Sequence, residues 1–366
     1  MRSGKIGLAV LASSLMVSGC SSGGGGSPTP ASAAPTNNAT TGNPSSSPSS
    51  NTSSNNSSGS APSSSSSGNG SASTPSGVAI VAATGTTPNF TSGPVAGTVF
   101  PLTQLITTVN TSSGATSNYT PAGTPTLTYT GTQTINGVAV PVYNLNVPGL
   151  SLTGANSLPA NGQTTTVNGV SSGWLLLTNL NYTTAGFWSL GASDNPNAFY
   201  DGEVVAGFQT PTANVPTTGT GTYIGIPSPP GSSTAGGVTG VVFYNGLNRT
   251  MSGRANIGVN FGSGAVTGSL TGIIVGNISG SQSYWNDVSL DGTLSGATIS
   301  GTATAGAPPT PSYGTDPQSP MLPTGAHGTF TGALYGPNGQ ELGATWSLSD
   351  AASGKSAIGT VTATKQ

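Results

Sequence analysis

From residue 78 onward, apolar residues recur at every second position, in short runs separated by Asn-Gly, Asp-Gly and Gly-rich pairs. That period places alternate side chains on opposite faces of a strand. Ile257, Val259 and Phe261 alternate with Asn256, Gly258 and Asn260. After a turn at Gly262–Gly264, Val266, Gly268 and Leu270 alternate with Thr267 and Ser269. Val288, Leu290 and Leu294 mark a further strand, Ile299 begins another, and Leu342, Trp346 and Leu348 share a face. In the first half, a run from Leu127 to Ile135 meets a run from Val138 to Val147 at Asn136-Gly137, a pair that tolerates the positive φ of a type I′ hairpin turn. Six other such pairs occur, Asn161-Gly162, Asn168-Gly169, Asp201-Gly202, Asn245-Gly246, Asp291-Gly292 and Asn338-Gly339, and each is read as a turn signal. No stretch sustains a 3.6-residue period, so the expected class is all-β and antiparallel. About eight strands are predicted after Gly219, enough to close a small barrel and remove its edges.

The partner positions in these strands are Ser, Thr, Asn and Gly. The outer face is therefore polar and uncharged, whereas a membrane barrel carries an apolar outer band. Composition extends this picture. Lys and Arg number 6 and Asp and Glu 8 among 366 residues, or 4% charged, with 57 Gly and 28 Pro. Six cations make no basic footprint for nucleic acid, so no nucleic-acid partner is expected. A carboxylate pair, a Ser-His-Asp triad or a zinc site would have to be built from eight acids, the single His327 and one Cys. No phosphate loop, dinucleotide fingerprint or nucleophile elbow is present, and the chain reads as a non-enzyme with no catalytic or metal residues.

The first residues depart from the β pattern. Arg2 and Lys5 precede an apolar stretch from Ile6 to Val17, too short for a spanning helix, which needs about 20 residues. Val17-Ser18-Gly19-Cys20 follows and resembles the bacterial lipoprotein lipobox. It implies cleavage before Cys20, lipid attachment at Cys20 and anchoring in a membrane, with residues 1–19 as signal peptide. Ser21 stands where an inner-membrane retention signal would place Asp, so an outer-membrane location, facing the cell surface, is expected. As the lone Cys, Cys20 can form no intrachain disulfide. Residues 21–77 are Ser, Gly, Asn, Pro, Thr and Ala alone, with 22 Ser among 57. Such a segment buries too little to offset its chain entropy, and residues 20–77 are read as a lipidated, disordered tether with a reach of about 40 Å.

Three segments resemble a known family. Gly328-Thr329-Phe330-Thr331-Gly332-Ala333-Leu334-Tyr335-Gly336-Pro337, followed by Asn338-Gly339-Gln340-Glu341-Leu342-Gly343, is similar to the closing hairpin of the transferrin-binding protein B barrel. Val259-Asn260-Phe261-Gly262 with Val266-Thr267-Gly268-Ser269-Leu270 resembles an earlier strand pair of that barrel, and Ala206 to Tyr223 resembles the chain leading into it. Asn260, Gly339 and Ala344 depart from the family pattern, which has Asp, Ala and Gly there. The resemblance implies a β handle domain over 78–217, an eight-stranded barrel over 218–366, and a surface lipoprotein that binds a protein or small-molecule ligand, an iron or haem carrier among the candidates. It implies no resident cofactor, with haem as cargo. A structural or adhesive surface lipoprotein without cargo is the competing reading.

Several residues are singled out as contacts. Phe187, Trp188, Phe199 and Tyr200 cluster just before the barrel and form either an aromatic anchor for a ligand or the core between handle and barrel. His327 is the one imidazole for a haem iron. Arg249 and Arg254 could clamp a carboxylate, Arg254 being the better surface candidate, and Glu341 is expected to accept backbone N–H bonds within its own turn. From Cys20 to Ser193 no residue is charged. A neutral handle cannot steer a ligand electrostatically, which favours shape, aromatic and hydrogen-bond recognition.

Overall fold

The computed structural model describes residues 78–79, 89–90, 94–110, 116–163, 165–167, 170–193, 195, 197–227, 236–244, 247–276, 282–307 and 321–366. Cys20, the signal and the tether lie outside the described residues. The handle contains β1 (Val78–Ala79), β2 (Val99–Pro101), β3 (Thr103–Asn110), β4 (Thr116–Tyr119), β5 (Thr126–Ile135) and β6 (Val138–Asn146). It continues with β7 (Leu158–Pro159), β8 (Thr165–Val167), β9 (Val170–Asn179), β10 (Thr183–Gly191) and β11 (Ala198–Gln209).

Two sheets make this part a sandwich. One is ordered β2-β5-β6-β7. The other runs β4-β3-β11-β10-β9-β8, with β1 parallel to the end of β11. The residues between them alternate as the sequence pattern requires. Phe100, Leu127, Tyr143, Leu145 and Leu158 from the first sheet meet Leu175, Trp188, Leu190, Val204 and Phe208 from the second, all buried. At one end Phe90, Phe100 and Phe208 form a three-ring cluster with centroids 5.3–5.4 Å apart. The β5–β6 hairpin turns at Asn136-Gly137 with φ of 51° and 80°, as a type I′ turn demands.

The barrel follows. Its strands are β12 (Thr220–Gly225), β13 (Gly237–Tyr244), β14 (Leu247–Asn260), β15 (Ala265–Gly276), β16 (Gln282–Tyr284) and β17 (Val288–Ser295). β18 (Thr298–Ala305), β19 (His327–Tyr335), β20 (Glu341–Asp350) and β21 (Lys355–Lys365) complete it. β12 and β13 pair with successive halves of β14 and both pair with β21, so together they occupy one position and close the barrel. β16 and β17 likewise share one side of β15. Ten strand segments thus fill eight positions, all antiparallel. The interior is apolar and contains Tyr223, Ile257, Leu270, Trp285, Phe330 and Trp346, with the Trp285 and Trp346 rings 6.2 Å apart. Large buried side chains of this kind fill the barrel as a core.

Two of the turn signals prove to be strand interiors. Asp201-Gly202 lies inside β11 and Asp291-Gly292 inside β17. Their glycines serve close approach instead. A Cβ at Gly202 would stand 2.2–2.5 Å from the Trp188 indole, and one at Gly292 would stand 2.3 Å from the Ser300 carbonyl oxygen. Asn338-Gly339 does turn, between β19 and β20, with Gly339 at φ 68°. Asn168-Gly169 and Asn245-Gly246 lie outside the described residues.

Candidate functional site

The polar outer face expected of the barrel does not extend around it. Strands β20 and β21 are buried on both sides. Inward they present Leu342, Ala344, Trp346, Leu348, Ala357, Val361 and Ala363. Outward, the barrel is covered by the face of the handle sheet formed by β3, β10 and β11. Phe187 and Leu105 of the handle pack against Val241, Phe243 and Ile358 of the barrel, and Ala185 and Val205 against Ala333 and Tyr335. Thr345, Thr360 and Thr362 are buried on this outward side, and the Thr239 and Thr360 hydroxyls share a 2.7 Å hydrogen bond. Threonine suits such a place because its methyl packs while its hydroxyl finds a neighbour.

Glu341 fastens one end of this joint. The Asn181 N–H donates to its Oε1 and the Tyr182 N–H to its Oε2, each at 2.9 Å. Both donors lie at the β9–β10 turn of the handle, not in the turn of Glu341 itself, which corrects the sequence expectation. Burial pushes the Glu341 carboxyl up, and hydrogen bonds from Tyr182, Thr183 and Asn181 partly oppose that push. Nearby, the Thr210 hydroxyl donates to the Gly336 carbonyl at 2.8 Å and the Tyr223 hydroxyl to the Gly339 carbonyl at 2.7 Å. Burial raises the Tyr223 hydroxyl to about 12. The conspicuous Gly336–Glu341 motif is therefore a contact between handle and barrel as well as the turn of a hairpin.

The four aromatic candidates do not form one cluster. Phe187 is buried in the joint, and Trp188, the next residue on β10, is buried in the handle core on the opposite face. Strand alternation forces that split. Phe199 and Tyr200 are half-buried neighbours on β11, so they too point to opposite faces. The Tyr200 ring meets Tyr119 edge-on at 5.8 Å. His327 is exposed at the start of β19, on the parity opposite to the inward Phe330. Arg254 is exposed, while Arg249 is buried and pairs across strands with Val242 of the barrel interior.

Sequence reasoning missed Asp201 and Glu203. Both are buried on β11, on the side that faces the joint. The signal was an i, i+2 pair of acids in an otherwise apolar strand, obscured by reading Asp201-Gly202 as a turn.

Open concavities lie at both domains. One, of about 350 Å³, is lined by Leu102, Gln104, Pro121, Gly123 and Pro125 of the handle. The other, of about 620 Å³, sits at the barrel rim among Met321, Leu322, Pro323, Asp350, Ser353 and Lys355. The rim is held by Asn286, whose amide donates to the Gly306 and Leu322 carbonyls and accepts the Leu322 N–H, all at 2.9–3.0 Å. The Lys355 ammonium donates to the Met321 carbonyl at 3.0 Å. Asp350 accepts the Ser353 N–H at 2.9 Å, and hydrogen bonds from Ser353 lower its carboxyl. Among the described residues no group of three or more His, Cys, Asp and Glu could hold a metal ion. The candidate surfaces are thus two open concavities, one on the handle and one at the barrel rim.

Comparison with known proteins follows the same division. No curated protein matches the chain in sequence. Among solved structures, intact Ap-TbpB with both lobes is 16% identical, with a TM-score of 0.40 over 72% of this chain and 46% of that one. The isotype 1 transferrin-binding protein B of serogroup B Neisseria meningitidis is 19% identical, with a TM-score of 0.37 over 72% and 43%. The N-lobe of lactoferrin-binding protein B of Moraxella bovis is 15% identical, with a TM-score of 0.31 over 50% and 76%. The chain spans less than half the length of the first two. Residues 215–365 match the family model of the C-lobe and N-lobe β-barrels of transferrin-binding protein B. That match covers the closed eight-position barrel, which makes this part of the chain similar to the transferrin-binding protein B barrels.

Proposed function

We propose that this chain is a lipid-anchored outer-membrane protein that displays its handle and barrel at the cell surface and captures an iron-carrier protein there. The observation that carries the reading is the family match over residues 215–365, in a barrel with a handle sheet docked on its side. The family model is that of the barrels of a protein named for binding transferrin. The partner is gripped without charge steering, since the handle has no charged residue before Asp194. Half-buried Phe199 and Tyr200, the handle concavity at Leu102 and Pro121–Pro125 and the barrel rim at Met321–Pro323 supply ring and apolar contacts.

The test is saturable binding of the full chain, held in lipid vesicles through Cys20, to purified transferrin, lactoferrin and haemoglobin. Saturation by one of them is the expected result, and failure with all three ends the carrier reading. Protease treatment of intact cells checks display, which requires cleavage before lysis. Haem as free cargo is checked by absorbance titration, where an unchanged Soret band removes it. A handle without charge before Asp194 also suits a structural or adhesive role without cargo, and cell–cell or cell–surface attachment lost on deletion, with no carrier bound, would establish that reading instead.

A further inference from the structure

Glu203 is the least accommodated group among the described residues. It has no exposed surface, and neither carboxyl oxygen has a hydrogen-bond partner among the described residues. Its cross-strand neighbours are Leu105 on β3 and Phe187 on β10. Both belong to the apolar cluster that joins handle to barrel through Val241, Phe243 and Ile358. Asp201, two residues along the same face of β11, is buried as well.

Among the described residues no counter-charge faces this place. β3, β10 and β13 contain no Asp, Glu, Lys, Arg or His. β19, β20 and β21 carry theirs at or beside their ends, as His327, Glu341, Asp350, Lys355 and Lys365. Arg249 lies on the inward side of the barrel wall, opposite Val242. Tyr335, buried beside Val205, and Tyr182, packed against the same cluster, are the phenols of the joint, and burial keeps Tyr335 neutral. The ionisable group beside Glu203 is thus Asp201, of the same sign. An ionised carboxylate here would be desolvated without compensation, whereas a neutral acid loses far less.

We propose that the handle–barrel joint is a proton-operated clasp, closed with Glu203 as a neutral acid and loosened when Glu203 gives up its proton to solvent. The direction of the titration agrees. Burial first, and then Asp201, push the Glu203 carboxyl well above the usual range. A carboxyl raised in the folded state contributes its full stability below the ordinary Glu value and loses it as pH rises through the raised one. Acid therefore tightens the joint and base loosens it. This is independent of which partner the surface holds.

The chain has just two Glu, so labelling with [δ-13C]glutamate gives two carboxyl resonances, from Glu203 and Glu341. The experiment uses the full chain in detergent micelles, with assignment by Glu341→Gln. The Glu203 signal is expected to keep the position of a protonated acid at about pH 6 and to titrate above the ordinary value. Over the same pH range, amide exchange in β11 and β20, corrected for its intrinsic rate, is expected to rise by about an order of magnitude, and Glu203→Gln should remove that rise. A Glu203 signal at the carboxylate position from about pH 5 upward overturns the proposal. So does an exchange rise that persists unchanged in Glu203→Gln. If that variant does not fold, the labelled wild-type signal decides alone.

Discussion

The barrel wall has two buried sides, and they are built differently. The inner side is a closed, apolar core of Trp, Phe, Ile, Leu and Val, contributed by every strand of the ring. The outer side, under the handle, mixes Phe187, Val241, Phe243 and Ile358 with Thr345, Thr360 and Thr362, and with the carboxyl groups of Asp201 and Glu203. The first buries apolar area that no rearrangement short of unfolding exposes. The second lies between two parts that each have a core of their own. A domain contact with polar groups at its centre is where relative motion is expected. The barrel core and the joint therefore rest on different residues of the same strands.

The largest test of that contrast is Trp346→Ala. Trp346 is fully buried against Trp285, and its loss should cost about 4 kcal/mol and lower the unfolding midpoint of the whole barrel. Calorimetry checks this, and a selective opening of the joint would break the contrast. Gly202→Val follows, at about 3 kcal/mol, because the new side chain must enter the Trp188 ring. Limited proteolysis should cut the handle first and leave the barrel whole. Glu341→Ala removes the acceptor for two handle N–H groups and should cost about 2 kcal/mol. Its signature is faster amide exchange at Asn181 and Tyr182 with little change inside the barrel. The smallest effect is a gain: Glu203→Gln should raise the unfolding temperature at neutral pH, and the advantage should vanish below the ordinary Glu value of 4.5. A constant difference across that range would mean that ionisation of Glu203 is not involved.

Much of this was legible in the chain. Alternation marked the barrel strands from Ile257 to Leu270, and Asn136-Gly137 placed a hairpin that the backbone angles support. The motif around Gly336-Pro337 and Glu341 pointed to the right barrel. What it hid were relations between distant segments. Glu341 looked like a local turn acceptor, yet its donors lie some 160 residues away. Phe187 and Trp188 looked like one aromatic patch, yet adjacent strand residues serve two cores. Asp201-Gly202 looked like a turn because a dipeptide cannot reveal that a Trp ring will lie across its glycine. Nor could spacing show that β12 with β13, and β16 with β17, would each fill one position of the ring.

The sequence by itself determined the all-β class, the apolar inner face of the barrel and the absence of charge from Cys20 to Ser193. Those are properties of period and composition, which each segment carries alone. Only the tertiary structure decided that one outward face of the barrel would also be buried, that a carboxylate would bridge it to the handle, and that two more acids would be enclosed there. A strand has two sides, and local pattern says which is apolar but not what will cover the other. The cover comes from a sheet folded from residues far away in the chain, and it turns ordinary strand positions such as Glu203 into buried, titratable ones.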